Sequence, residues 1–356
     1  MRGVQAGREF FVIMCPLRYL PRLFLFDEED VPPELRAQRA LNRNRLPGLV
    51  RYITENRDDY VFSALTASVD GSLVFEPSDS DPTHGQRLGT LRISMDSRFL
   101  INDGQHRRAA IEEALRADPT LAEETIAIVI FADEGLARSQ QMFADLNRHA
   151  VRPSRSIGVL YDHRDDDSGI ARLVVIRSDF YRGVVEMEKS TLSKTSRRLF
   201  TLSAIYGATQ SLLQGQQYET VDEAAEVAAG FWDAIRYFFP QWEEVRRGRL
   251  QARELRADFI HSHGIALQAL GRVGNTVLRE SRHGTPDWAS EMGGLATMDW
   301  SRANTKLWEG RAIIGGRVSK STNNVTLTTN ALRMHLGMPL TPEEQRVEDA
   351  YMEGTV

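Results

Sequence analysis

An α+β fold is predicted for this chain, with a strand-containing domain over residues 1–155 and a mainly helical domain over residues 156–356. Three observations carry the prediction. Short apolar, β-branched runs alternate with helical periodicity through the first 150 residues. From about residue 155 helical spacing takes over. Finally, 356 residues with 42% hydrophobic and 26% charged side chains suit two ordinary globular domains, and no internal repeat or low-complexity tract argues otherwise.

The elements follow in order. Residues 9–14 read as a buried strand. Residues 33–56 are helical, offering Leu35, Leu41, Leu46, Leu49, Tyr52 and Ile53 to the core. Pro47 opens a second helix there, since proline is tolerated in a first turn. Residues 62–69 and 72–75 read as strands joined through Asp70-Gly71, a hairpin signal. A polar loop over 76–89 leads to a second strand pair, 88–93 and 98–101, around Asp96-Ser97. Residues 125–131 form an apolar β-branched run typical of a central strand, and 136–147 form a helix carrying Met142, Phe143 and Leu146. Beyond 155, helical spacing runs through 156–163, 169–177, 193–214, 221–239, 254–273 and 301–308. Residues 342–353 make a short acidic helix or tail.

The charge balance is 44 Lys and Arg against 49 Asp and Glu, a net −5. A nucleic-acid role therefore needs cations clustered locally, because phosphate neutralisation dominates such affinity. The single cysteine, Cys15, excludes an intrachain disulfide framework and any all-cysteine metal site. The apolar run 10–15 is followed by Pro16, Arg18 and Arg22 and is too short to span a bilayer, which takes about 18 or more apolar residues. No signal peptide is visible, and a cytoplasmic, reduced setting without membrane contact is expected.

The most informative segment is Asp103-Gly104-Gln105-His106-Arg107. It lies where the strand 99–101 meets a helix whose apolar face is Ala110, Ile111, Ala114 and Leu115. At such a turn the free amides and positive end of the helix dipole can receive an anion. Gly104 would let the main chain approach it, and His106 and Arg107 would place donors beside it. On a structural reading, Asp103 caps the helix and Arg108 pairs with Glu112 four residues on.

These five residues resemble the signature of the DGQHR-domain family, whose DndB branch accompanies gene clusters that place sulfur in the DNA backbone as phosphorothioate. More distantly, Gly104-Gln105-His106-Arg107-Arg108-Ala109-Ala110 is similar to the Gly-x-x-Arg-x-x-Ala segment of ParB and sulfiredoxin proteins, where it holds nucleotide phosphates. The resemblance implies a ParB/sulfiredoxin-like core for the first domain. It extends to Phe143-Ala144-Asp145-Leu146-Asn147, to 189–198, to Trp308-Glu309-Gly310-Arg311 and to Leu336-Gly337-Met338-Pro339-Leu340-Thr341. Sulfiredoxin-like thiol chemistry is excluded, because Gln105 stands where the reactive cysteine would be.

Further segments carry cations. Residues 147–155 hold Arg148, His149, Arg152 and Arg155 without a carboxylate, and with Asn147 they suit a phosphate. Residues 189–198 alternate hydroxyls with Lys189, Lys194, Arg197 and Arg198, either following a nucleic-acid backbone or forming a helix start capped by Ser193. Residues 308–321 are glycine- and cation-rich, with Arg311, Arg317 and Lys320, but lack P-loop spacing. A contacting loop and an ordinary surface loop both fit them. Arg246, Arg247, Arg249, Arg253 and Arg256 are flanked by Glu243, Glu244 and Glu254 and read as salt-bridged surface. His261 and His263, two apart on a helix, point in different directions and do not suggest a metal.

The family resemblance implies a DNA-binding regulator of a phosphorothioate modification and restriction cluster. Double-stranded DNA is the partner, contacted through Arg148, Arg152, Arg155, Lys189, Lys194, Arg197, Arg198, Arg311, Arg317 and Lys320. Modification enzymes of the same cluster and further copies of the chain are additional partners on this view. The alternative is a nucleotide switch or hydrolase using ATP or CTP with Mg2+. There Gly104, Gln105, His106, Arg107, Asn147 and Arg148 hold the phosphates, and Asp103 and His106 serve catalysis.

Overall fold

The β-branched run ending at Phe131 becomes the middle of a sheet. The computed structural model describes residues 1–24, 43–78, 86–132, 141–142, 145–146, 153–281 and 286–354. The chain divides into two units, Met1–Val151 and Arg152–Val356, and its class is α+β, as predicted.

The first unit contains β1 (Arg2–Gln5), β2 (Arg8–Pro16), α1 (Leu46–Glu55), β3 (Leu65–Val69), β4 (Leu73–Pro77), β5 (Gly89–Ile93), β6 (Phe99–Asp103), α2 (Gln105–Ala117) and β7 (Thr125–Ala132). Its main sheet runs β1-β2-β7-β3-β6. Strand β7 lies antiparallel to β2 and parallel to β3. Ile126, Ile128 and Ile130 alternate into the core, while β3 is buried at every position. Helix α1 carries proline in its first turn, as expected, and buries Ile53. Helix α2 buries Ala110, Ile111 and Ala114, the face predicted for it. The predicted helices over 33–42 and most of 136–147 lie outside the described residues. This strand order by itself does not establish the ParB/sulfiredoxin-like arrangement.

The hairpin expected at Asp70-Gly71 is corrected. The chain does turn there, with Gly71 at φ +102°, but β3 pairs with β6 and β7, and β4 pairs with β5. Burial explains the choice. A strand enclosed on both faces takes partners on both edges, whereas β4 alternates between half-buried and exposed positions. The pair expected around Asp96-Ser97 fails for the same reason. Instead, the two turns bond to each other: Asp70 N–H donates to the Arg98 carbonyl at 3.1 Å, and Ser94 N–H to the Ser72 carbonyl at 3.3 Å.

The second unit contains α3 (Arg155–Tyr161), α4 (Asp166–Arg177), β8 (Val185–Glu186), β9 (Phe200–Thr201), α5 (Leu202–Leu213), α6 (Val221–Ile235), α7 (Pro240–Arg246), α8 (Ala252–Asp258), α9 (Gly264–Glu280), α10 (Trp288–Met292), α11 (Thr305–Trp308), β10 (Ile313–Ile314), β11 (Arg317–Val318), α12 (Thr322–His335) and α13 (Pro342–Met352). An aromatic centre holds it together. The Phe180 and Trp242 rings stack at 5.3 Å, and Phe200 meets Trp242 edge-on at 5.1 Å. Helices α9 and α5 cross closely at Gly271, where a Cβ would fall 2.3 Å from the Ala208 carbonyl oxygen.

Two boundaries differ from expectation. The helix predicted over 193–214 begins only at Leu202, capped by Thr201 rather than Ser193, which leaves 189–198 as an irregular segment of bends with a turn closed from Ser196 N–H to the Ser193 carbonyl. The pattern over 254–273 is two helices broken at 259–263, so His261 and His263 lie between helices. The acidic stretch expected over 342–353 as a helix or tail is a helix, Pro342–Met352, with a capping box between Thr341 and Glu344. Among the described residues no helix is long and apolar enough to cross a membrane.

Candidate functional site

Gly104 joins β6 to α2 in the left-handed region, at φ +101°, where only glycine sits without strain. A Cβ there would come within 2.4 Å of Leu65 Cδ2 and 3.3 Å of the Arg107 guanidinium. The space beside Gly104 is thus already filled by protein.

Arg107 is equally occupied. Its Nη1 donates to the Ser63 and Ala64 carbonyls at 2.6 and 2.9 Å and also reaches the Ser63 hydroxyl. Its Nη2 donates to Asp103 Oδ2 at 2.6 Å. Asp103 therefore orients Arg107, and Arg107 ties the start of β3 to the end of β6. Arg108 bonds the Phe24 carbonyl at 3.0 Å and pairs with Glu112, as the structural reading expected. Gln105 donates to the Ile101 carbonyl at 3.3 Å. Burial, reinforced by the Arg45 charge, lowers the pKa of His106 and keeps its ring neutral near pH 7. To grip a phosphate, Arg107 would have to release these carbonyls. Asn147, Arg148 and Arg152 lie outside the described residues.

The other cations divide sharply. Arg311 is buried, with its guanidinium paired to the Glu348 carboxylate and donating to the Leu327 carbonyl at 2.9 Å. A side chain so enclosed makes no surface contact with DNA, and the expectation for Arg311 is corrected on that ground. Arg317 is exposed on β11. Lys189, Lys194, Arg197 and Arg198 are exposed on the segment before β9. Arg198 bonds the Gly183 carbonyl; among the described residues no carboxylate pairs with any of these four. That segment is held from below. Ser156 Oγ donates to the Lys189 carbonyl at 3.0 Å, and Arg256 Nη2 donates to the Ser193 and Ser196 carbonyls at 3.1 and 3.2 Å.

Arg246, Arg247 and Arg249 are salt-bridged to Glu243 and Glu244, as expected. Arg256, read with them from the sequence, is not. Its partners are carbonyls, and burial lowers its pKa.

Arg256 lines a cavity of about 470 Å3 together with Arg155, Lys320, Thr191, Ser203 and the start of α9. Among the described residues, no Asp or Glu is in its wall. Lys320 is exposed as a residue, yet burial of its ammonium and the neighbouring Arg155 charge lower its pKa. Arg155 also lies over the Tyr206 ring at 5.4 Å. His263, at the N-cap of α9, donates from Nε2 to the Arg256 carbonyl at 2.8 Å. Burial lowers its pKa, so near pH 7 it adds no cation to the wall. The structure thus brings Arg155 and Lys320 together, as no sequence pattern required. Sequence reasoning missed Arg256, His263 and Gly264 as their neighbours. One signal was present: His263-Gly264 opens a long apolar helix with no Ser, Thr, Asp or Asn as its N-cap.

A family model described as DndB, DNA-sulfur modification-associated, matches residues 1–339. No curated protein and no solved structure matches the chain.

Proposed function

The chain belongs to the DndB family, associated with DNA sulfur modification, and from that premise we propose that it is a DNA-binding regulator of a phosphorothioate modification gene cluster. The observation that carries this reading is the 189–198 segment: Lys189, Lys194 and Arg197 are exposed, unpaired by carboxylates among the described residues, and interleaved with serine and threonine hydroxyls. Such a surface positions a duplex by its phosphates without reading bases. It also supplies the local positive charge that a chain of net −5 needs. The reading with a triphosphate on the 103–107 turn is less favoured, because the donors it requires from Arg107 are already engaged.

An electrophoretic shift with the promoter fragment of the protein's own cluster, run across a salt series, tests the proposal. Affinity should fall steeply with salt. Replacing Lys189, Lys194 and Arg197 together by alanine should flatten the slope of log K against log salt by about 0.9 for each phosphate that is no longer neutralised. Absence of any shift at low salt would refute DNA binding.

A further inference from the structure

The cavity in the second unit carries a charge arrangement that its own residues leave unresolved. Lys320 Nζ lies 3.7 Å from where a Cβ on Gly264 would stand, at the first residue of the 17-residue helix α9. A helix N-terminus is itself positive and favours anions, so an ammonium there has the wrong sign for its surroundings. The Arg155 charge acts on the same ammonium, and Arg256 contributes a third cation. Among the described residues, no carboxylate in the wall offsets them. The first-turn amides of α9 receive no side-chain cap. Among the described residues the Lys320 ammonium, the Arg155 guanidinium and the uncapped amides are donors without a hydrogen-bond acceptor, whereas Arg256 is engaged by carbonyls.

We propose that this cavity is a binding site for a phosphate group, held between Lys320, Arg155 and the amino end of α9. A phosphate supplies both the charge and the acceptor oxygens that the wall lacks, and helix N-termini are ready-made sites for it. The cavity's 470 Å3 far exceeds one phosphate and falls in the range of small-molecule sites. Leu192 provides an apolar surface for the group that carries the phosphate. Two carriers share this chemistry: a free nucleotide and the 5′ end of a nucleic-acid strand. The site goes beyond the regulator reading, which stands on Lys189, Lys194 and Arg197.

Calorimetric titration of the full chain tests it, using inorganic phosphate, AMP, and a single-stranded tetranucleotide with a 5′-phosphate or a 5′-hydroxyl. The probes are run on the wild type, Lys320→Gln and Arg155→Gln; both positions are exposed, and unfolding temperatures verify that the variants fold. Saturable binding weakened tenfold or more in each variant is the expected result. AMP binding without preference between the tetranucleotides identifies a free nucleotide as the carrier. Preference for the 5′-phosphorylated strand identifies a strand end. Failure of all the phosphate probes to bind, or binding that neither variant weakens, overturns the proposal. A duplex shift run on the same preparations separates the two readings: a protein that shifts its promoter but binds no phosphate probe keeps the regulator function and loses this site.

Discussion

Arg107 and Asp103 face each other across one turn at the strand-to-helix junction, Nη2 to Oδ2 at 2.6 Å, with the arginine side chain 16% exposed and the carboxylate 43%. The two most chemically suggestive residues of the motif are therefore each other's partners. Gly104 lies between them in the chain at a φ only glycine tolerates, pressed against Leu65. The motif works as a clasp that fixes the end of β6, the start of β3 and the first turn of α2.

Arg107→Ala is expected to destabilise the first unit. It removes the hydrogen bonds to the Ser63 and Ala64 carbonyls and leaves Asp103 without its counter-charge. Hydrogen bonds to charged groups and stranded polar partners each cost about 1–3 kcal/mol, and a total loss of about 2–4 kcal/mol follows after allowing for the half-exposed carboxylate. Denaturant unfolding measures it. If stability is unchanged while nucleotide or DNA affinity collapses, Arg107 is a ligand grip rather than a clasp.

Glu348→Gln should weaken the docking of α13. Glu348 and Arg311 are each 7% exposed by side chain and form a buried pair, with Asn330 adding a hydrogen bond at 3.1 Å. Burial alone would raise the pKa of Glu348, but hydrogen bonds from Arg311 and Asn330 and the Arg311 charge outweigh it and lower the value. A carboxylate lowered in this way stabilises the fold above its unfolded value of 4.5, and that contribution is lost as pH falls below it. The variant leaves Arg311 buried without its counter-charge, at a cost of about 3–5 kcal/mol. Unfolding curves at pH 7 and pH 3.5 should show the gap between wild type and variant narrowing in acid.

The apolar face of α2, the central strand ending at Phe131 and the salt-bridged Arg246 run were legible in the sequence, because each is a local pattern of period or charge. The partners of β3 were not. Asp70-Gly71 signals a turn, but burial of both faces of β3 decides which strands it meets, and that is a tertiary effect. The cavity was legible only in pieces. Arg155, Lys320 and the 189–198 segment carried their cations openly, yet nothing local says that residues 155, 256 and 320 converge on the start of α9. Arg311 misled for the converse reason: its glycine-rich neighbourhood looks like a loop, while its partner Glu348 lies 37 residues away.

His261 makes the stability of the second unit sensitive to mild acid. It is 1% exposed and accepts at Nδ1 from Trp242 Nε1 at 2.9 Å. The proton of the neutral ring is thereby placed on Nε2, which is buried without a partner among the described residues. Phe239, Phe259 and Trp300 surround the ring. Burial, helped by His263, lowers its pKa to about 3. Between its unfolded value of 6.5 and that folded value, the unfolded chain takes up a proton that the folded chain refuses. The stabilisation is complete above pH 6.5 and falls as pH drops, approaching about 1.4 kcal/mol per pH unit. His261→Phe keeps an aromatic ring but removes the titration. From pH 7.5 to pH 5, the wild type should therefore lose about 1–2 kcal/mol more than the variant, read from urea midpoints. Equal losses would mean that His261 is charged inside the folded protein.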